Sequence, residues 1–84
     1  MNLQEIIDAV KKAIMSVSDV SSPDEIDLDD DLQQFVNPNV KMFLASQLCS
    51  TFPKLPFNKL CDDLFTKIII VAQLVTYINN IYKN

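Results

Sequence analysis

All four prolines of this chain fall between Pro23 and Pro56, so two long stretches, residues 1–22 and 57–84, run without a residue that breaks a helix. Proline fixes φ and lacks an N–H, so each one marks where a helix starts or stops. Asn37-Pro38 reads as a helix N-cap followed by its first residue, which predicts a second helix from about Pro38. Phe52-Pro53-Lys54-Leu55-Pro56 ends it, because the residue before a proline is pushed out of the helical region. Between them Val40, Phe43, Leu44, Leu48 and Phe52 recur at three- and four-residue spacing, with Met42, Ala45 and Cys49 widening the stripe. Lys41 is the only charge from Val40 to Phe52, and a helix so poor in charge is expected to be touched on most sides.

The two ends carry helical periodicity. Asn2 followed by Glu5 fits a capping box, and Leu3, Ile6, Ile7, Val10, Ile14 and Val17 form one stripe of a first helix ending near Val17. Ser22-Pro23-Asp24-Glu25 opens a short turn in the same way. Six of the eight residues from Asp24 to Asp31 are acidic, a density that opposes a long helix, while Ile26 and Leu28 are placed to pin this loop to the core. Leu32, Phe35 and Val36 make a further brief turn. Beyond Asn58 the apolar positions hold helical register to Ile81 or Tyr82. Register alone gives one long helix, whereas the β-branched run from Ile68 to Val71 allows a break into a third helix ending near Phe65 and a fourth starting near Ile69.

The expected fold is an all-α bundle of three or four helices in a single domain spanning residues 1–84. Its predicted core is Leu3, Ile6, Val10, Ile14, Phe43, Leu44, Leu48, Leu64, Val71, Val75 and Ile78. There is no glycine and no histidine. Phosphate-cradling loops need the first, and the commonest general base and metal ligand is the second. Cys49 and Cys61 lie twelve apart without a CxxC partner and read as packed thiols of an intracellular protein rather than a disulfide or metal site. The acidic loop lacks the central glycine and terminal glutamate of a calcium-binding EF-hand loop. An enzyme, a bound cofactor and a metal are therefore not expected.

A net charge of −4 with seven scattered lysines argues against nucleic acid as a partner. The longest apolar run, Ile68 to Ala72, is far short of a bilayer span, and Glu5 and Asp8 stand where a secretory leader would be basic. A cytoplasmic location is expected.

A long amphipathic helix, an acidic loop, an apolar second helix, a Pro-containing turn and a closing helix resemble, in that order, an acyl carrier protein. The matching residues are Ile26-Asp27-Leu28-Asp29-Asp30-Asp31-Leu32 in the loop, Leu44, Leu48 and Phe52 in the second helix, Leu55-Pro56 at the turn, and Val71 to Asn79 in the closing helix. The resemblance implies a four-helix fold and a place in fatty-acid or polyketide metabolism. It also implies 4'-phosphopantetheine on the serine of an Asp-Ser-Leu at the start of helix 2. Here that place reads Pro38-Asn39-Val40, and the amide of Asn39 is no nucleophile. Ser46 is a fallback for attachment, but Ser46 and Ser50 read first as helix-surface residues.

The acidic second helix by which such carriers dock on basic enzymes is also missing. What remains is a carrier-like scaffold or regulatory partner without the arm. Its alternatives are a working carrier modified at another serine, or an unrelated helical adaptor that binds a partner protein or a second copy of itself. Two surfaces are candidates for the partner: Lys41, Met42, Phe43, Ser46 and Ser50 on the second helix, and Asp29, Asp30 and Asp31 in the loop.

Overall fold

The computed structural model describes residues 2–83 and contains four α-helices among them: α1 (Leu3–Ser16), α2 (Lys41–Thr51), α3 (Phe57–Asp63) and α4 (Val71–Tyr82). Helix α1 packs against both α2 and α4, and α3 packs on α2, which makes the expected small all-α bundle. The helix starts follow the cap chemistry. Asn2 Oδ1 accepts from the Glu5 N–H at 2.9 Å while Glu5 Oε1 accepts from the Asn2 N–H at 3.1 Å, closing the capping box of α1. Asn37 and Pro38 open a 3-10 turn (Pro38–Val40) that leads directly into α2.

The core runs through all four helices. Ile6, Val10 and Ile14 of α1, Leu44 and Leu48 of α2, Leu60 of α3 and Val71, Leu74 and Ile78 of α4 are fully buried, joined by Ile26, Leu32, Phe52 and Leu64 from the connections. Nine of the eleven expected core residues are there. The other two are corrections: Leu3 is 52% exposed and Phe43 is 65% exposed. Leu3 is the first residue of α1, one turn before the first buried position, Ile6, and Phe43 lies one step round α2 from the buried Leu44–Leu48 stripe. Only Leu44, Ala45 and Leu48 of α2 are buried, so this helix is covered on one side and not on most sides. Leu28 is 37% exposed and does not pin the loop by its side chain. Its carbonyl does so instead, accepting from the Ala72 N–H at 2.8 Å.

The chain from Asn58 to Tyr82 forms two helices, separated by residues 64–70. The break is wider than the sequence suggests, because Leu64 turns extended and Phe65 takes a φ of 68°. The β-branched run then makes no strand. Ile70 pairs with Asp31 and Ile68 with Leu64 in isolated bridges. The linker thus ties the acidic loop to the start of α4, where Asp30 O accepts the Val71 N–H at 3.0 Å and Ile69 O accepts the Leu32 N–H at 2.9 Å.

Candidate functional site

The start of α2 is where a carrier-like chain would bear its chemistry. Asn37 Oδ1 accepts from the Asn39 N–H at 2.9 Å, which fixes the turn and leaves Asn39 exposed at its surface. The position is open to solvent but offers only an amide. Ser46 is also exposed, two helical turns further on, so access is not what separates the two positions; the helical surroundings of Ser46 are.

With Leu44, Ala45 and Leu48 facing inward, the outer side of α2 presents Met42, 60% exposed, and Phe43, 65% exposed, in succession. Ser46, Gln47 and Ser50 continue this surface without a charge. Phe43 and Ser46 line a hollow of about 330 Å³ between α2 and the end of α1, with Val17 and Val40 in its wall. Ser16 and Gln47 line both this hollow and a neighbouring one of about 560 Å³ that reaches Thr51. The α1–α2 face therefore offers two adjoining recesses, one holding Phe43 and the other Lys12. Lys41 is half-buried, and its charge lowers the pKa of Cys61 on α3 against the larger upward push of burial. It stands apart from Phe43.

The acids of the loop are engaged in building it. Glu25 Oε2 accepts from the Ser21 and Ser22 N–H groups, each at 3.0 Å, and these bonds hold its carboxyl below the ordinary 4.5. Asp30 Oδ2 accepts from the Asp27 N–H at 2.9 Å and Asp31 Oδ1 from the Gln33 N–H at 2.8 Å. Asp29 is exposed. Backbone bonds from the Val71 and Ala72 N–H groups to the carbonyls of Asp30 and Leu28 hold the segment from Asp29 to Asp31 next to the N-terminus of α4, a position that favours negative charge. The fold thus keeps Asp29, Asp30 and Asp31 at α4, while Phe43 and Ser46 sit beside the end of α1 and Met42 stands exposed next to Phe43.

Cys49 on α2 and Cys61 on α3 are free and half-buried, and burial pushes both thiols above the ordinary 9.0. A thiol held protonated is a poor nucleophile. Among the described residues no group of three or more His, Cys, Asp or Glu side chains is arranged to hold a metal ion, and no helix is long and apolar enough to cross a membrane.

Sequence reasoning missed Gln73, whose Oε1 accepts from the Ile69 N–H at 2.7 Å and the Ile70 N–H at 3.1 Å and so closes the start of α4. A glutamine three residues after a break is the signal, but the cap residue Ile70 has no polar side chain to announce it. It also missed Asp63, a buried carboxylate paired with Lys59 at 3.7 Å. The i, i+4 spacing of that pair was legible. The chain matches no protein-family model, no curated protein and no solved structure.

Proposed function

We propose that this chain is a non-enzymatic helical interaction domain, built like an acyl carrier protein but without the covalent arm, and that it serves acyl-chain enzymes as a scaffold or regulatory partner. It docks through the outer side of α2. The observation that carries the reading is the pair Met42 and Phe43, adjacent on α2 and the two most exposed large apolar side chains among the described residues, ahead of the isolated Leu3 and Leu28. Exposed apolar area of this kind, beside a recess and with polar neighbours, is what partner surfaces present. The amide at Asn39 and the raised thiols support the absence of a covalent carrier step.

The test has two arms. Expression with a broad-specificity phosphopantetheinyl transferase is expected to leave the intact mass unchanged, and Asn39→Ser alone is not expected to restore attachment, because Pro38 and Val40 replace the Asp and Leu that such enzymes read. A cofactor-sized mass increase on the wild type would promote the working-carrier alternative. A partner recovered from the native cell is expected to bind with little dependence on salt and to lose binding on Met42→Glu. Affinity that falls steeply in salt yet survives Met42→Glu moves the docking surface to Asp29, Asp30 and Asp31.

A further inference from the structure

Helix α3 lies on α2 and α4 lies on α1, an arrangement that leaves a cleft between α3 and α4 themselves. Two adjoining hollows of about 440 and 450 Å³ fill it, and Tyr77 and Asn80 line both. The floor is a second stripe of α4, running from Ala72 through Thr76 and Tyr77 to Ile81, beside the buried stripe that faces α1. At about 1.5 Å of rise per residue the cleft follows the α4 axis for about 14 Å. Its exposed surface is mainly apolar, though Gln73, Thr76 and Asn80 of α4 also line it.

The charges around the cleft are the reverse of those on the whole chain. Lys54, Lys59 and Lys67 line it, three of the seven lysines in a protein of net charge −4. Among the described residues Asp63 is the only carboxylate in its walls, and it is buried and paired with Lys59. None of the six acids between Asp24 and Asp31 lines it.

We propose that this cleft is a second docking site, and that it takes an acidic amphipathic helix from a partner protein. A straight apolar trough alongside a helix, with two hollows in succession, matches side chains spaced at i, i+3 or i+4, and i+7 on a docked helix. The lysines select acidic residues on the flanks of that helix and repel basic ones. An extended peptide would need a sheet edge to pair with, and the described residues contain no strand. Nucleic acid would place phosphates against apolar walls. The cleft shares no residue with the Met42–Phe43 surface, so this inference stands apart from the proposed function.

The test is a display library of helical peptides panned against the folded full-length chain. Enriched peptides are expected to carry apolar residues at i, i+3 or i+4, and i+7 with Asp or Glu beside them. Their affinity is expected to fall roughly tenfold or more with Lys54→Glu plus Lys67→Glu, and again at high salt. Thr76→Trp fills the cleft from an exposed position of α4 and is expected to abolish binding with the thermal midpoint unchanged, whereas Met42→Glu is expected to leave affinity unaltered. The chain has no tryptophan, and its two tyrosines, Tyr77 and Tyr82, both lie on α4, so binding here is expected to alter tyrosine emission. Failure to enrich any peptide, enrichment of basic or uncharged ones, or binding lost only with Met42→Glu would overturn the proposal. So would a dimer of the chain alone, seen by sedimentation and broken by Thr76→Trp, since the occupant would then be a second copy.

Discussion

Phe65 bears the sharpest local conflict in the molecule. A φ of 68° is left-handed backbone, and a chain with no glycine must put a side chain there. Such a residue costs about 1–3 kcal/mol and persists only where its surroundings demand it. The demand is visible: Asp63 O accepts from the N–H groups of Thr66, Lys67 and Ile68 at 3.1, 2.9 and 2.9 Å, which closes α3 and reverses the chain. If strain governs this site, Phe65→Asn will be more stable than Phe65→Ile although isoleucine keeps more apolar surface, because asparagine tolerates left-handed backbone and a β-branched side chain does not. The reverse order of urea midpoints would show that packing of the half-buried ring governs instead.

Glu25 makes a second prediction at the same scale. Hydrogen bonds from Ser21 and Ser22 lower its pKa in the folded protein below 4.5, so its contribution is present above that value and is lost as pH falls from 4.5 through the folded pKa. Urea midpoints measured across that window should fall less steeply in Glu25→Gln than in the wild type. For the raised thiols of Cys49 and Cys61 the sign reverses, and their contribution is lost as pH rises above 9.0.

Among the elements, those with both a cap and a period were legible, and those whose ends depend on distant partners were not. The capping box at Asn2 places α1 almost to the residue, whereas Asn37-Pro38 marks the 3-10 turn that leads into α2, whose α-helix starts three residues later than expected, at Lys41. The start of α4 does not announce itself locally, because its first N–H groups bond to Asp30 and Leu28, some forty residues earlier in the chain. The face of α2 was ambiguous for another reason. Phe43 and Leu44 both satisfy helical spacing with later apolar residues, and only the positions of α1 and α3 decide for Leu44. That choice predicts different mutational costs. Leu48→Ala, fully buried, should lose about 2–5 kcal/mol through lost burial and the cavity it leaves. Phe43→Ala should stay within about 0.5 kcal/mol of the wild type, since its ring is mostly in water already. Gln73→Ala should lie between them at about 1 kcal/mol, through the two amide bonds it removes from the start of α4. Chemical denaturation of the three variants checks the order, and a Phe43→Ala loss equal to that of Leu48→Ala would place both residues in the core.

Across the whole molecule, stability is unequal because the helices do not share neighbours equally. Helix α1 contacts α2, α4 and the turn at Pro23–Glu25, while the chief neighbour of α3 is α2. A seven-residue helix is too short to hold itself in water, where about 12–15 residues are marginal, so α3 depends on burying Leu60 and on the closure at Asp63. Opening α3 alone exposes Leu60 and the cleft beside α4 but leaves the α1–α4 packing intact. Native-state hydrogen exchange is therefore expected to separate two groups of amides. Those inside α1 and α4 should exchange only by global unfolding, at a free energy in the range of about 5–15 kcal/mol usual for small domains. Those at the end of α3, including the Leu64 N–H that bonds to Leu60 O at 2.9 Å, should open at a clearly lower free energy. Leu60→Ala should hasten their exchange further, by weakening the one contact face α3 has. Equal protection across α1, α3 and α4 would show instead that the bundle opens only as one unit and that the α3–α4 cleft has rigid walls.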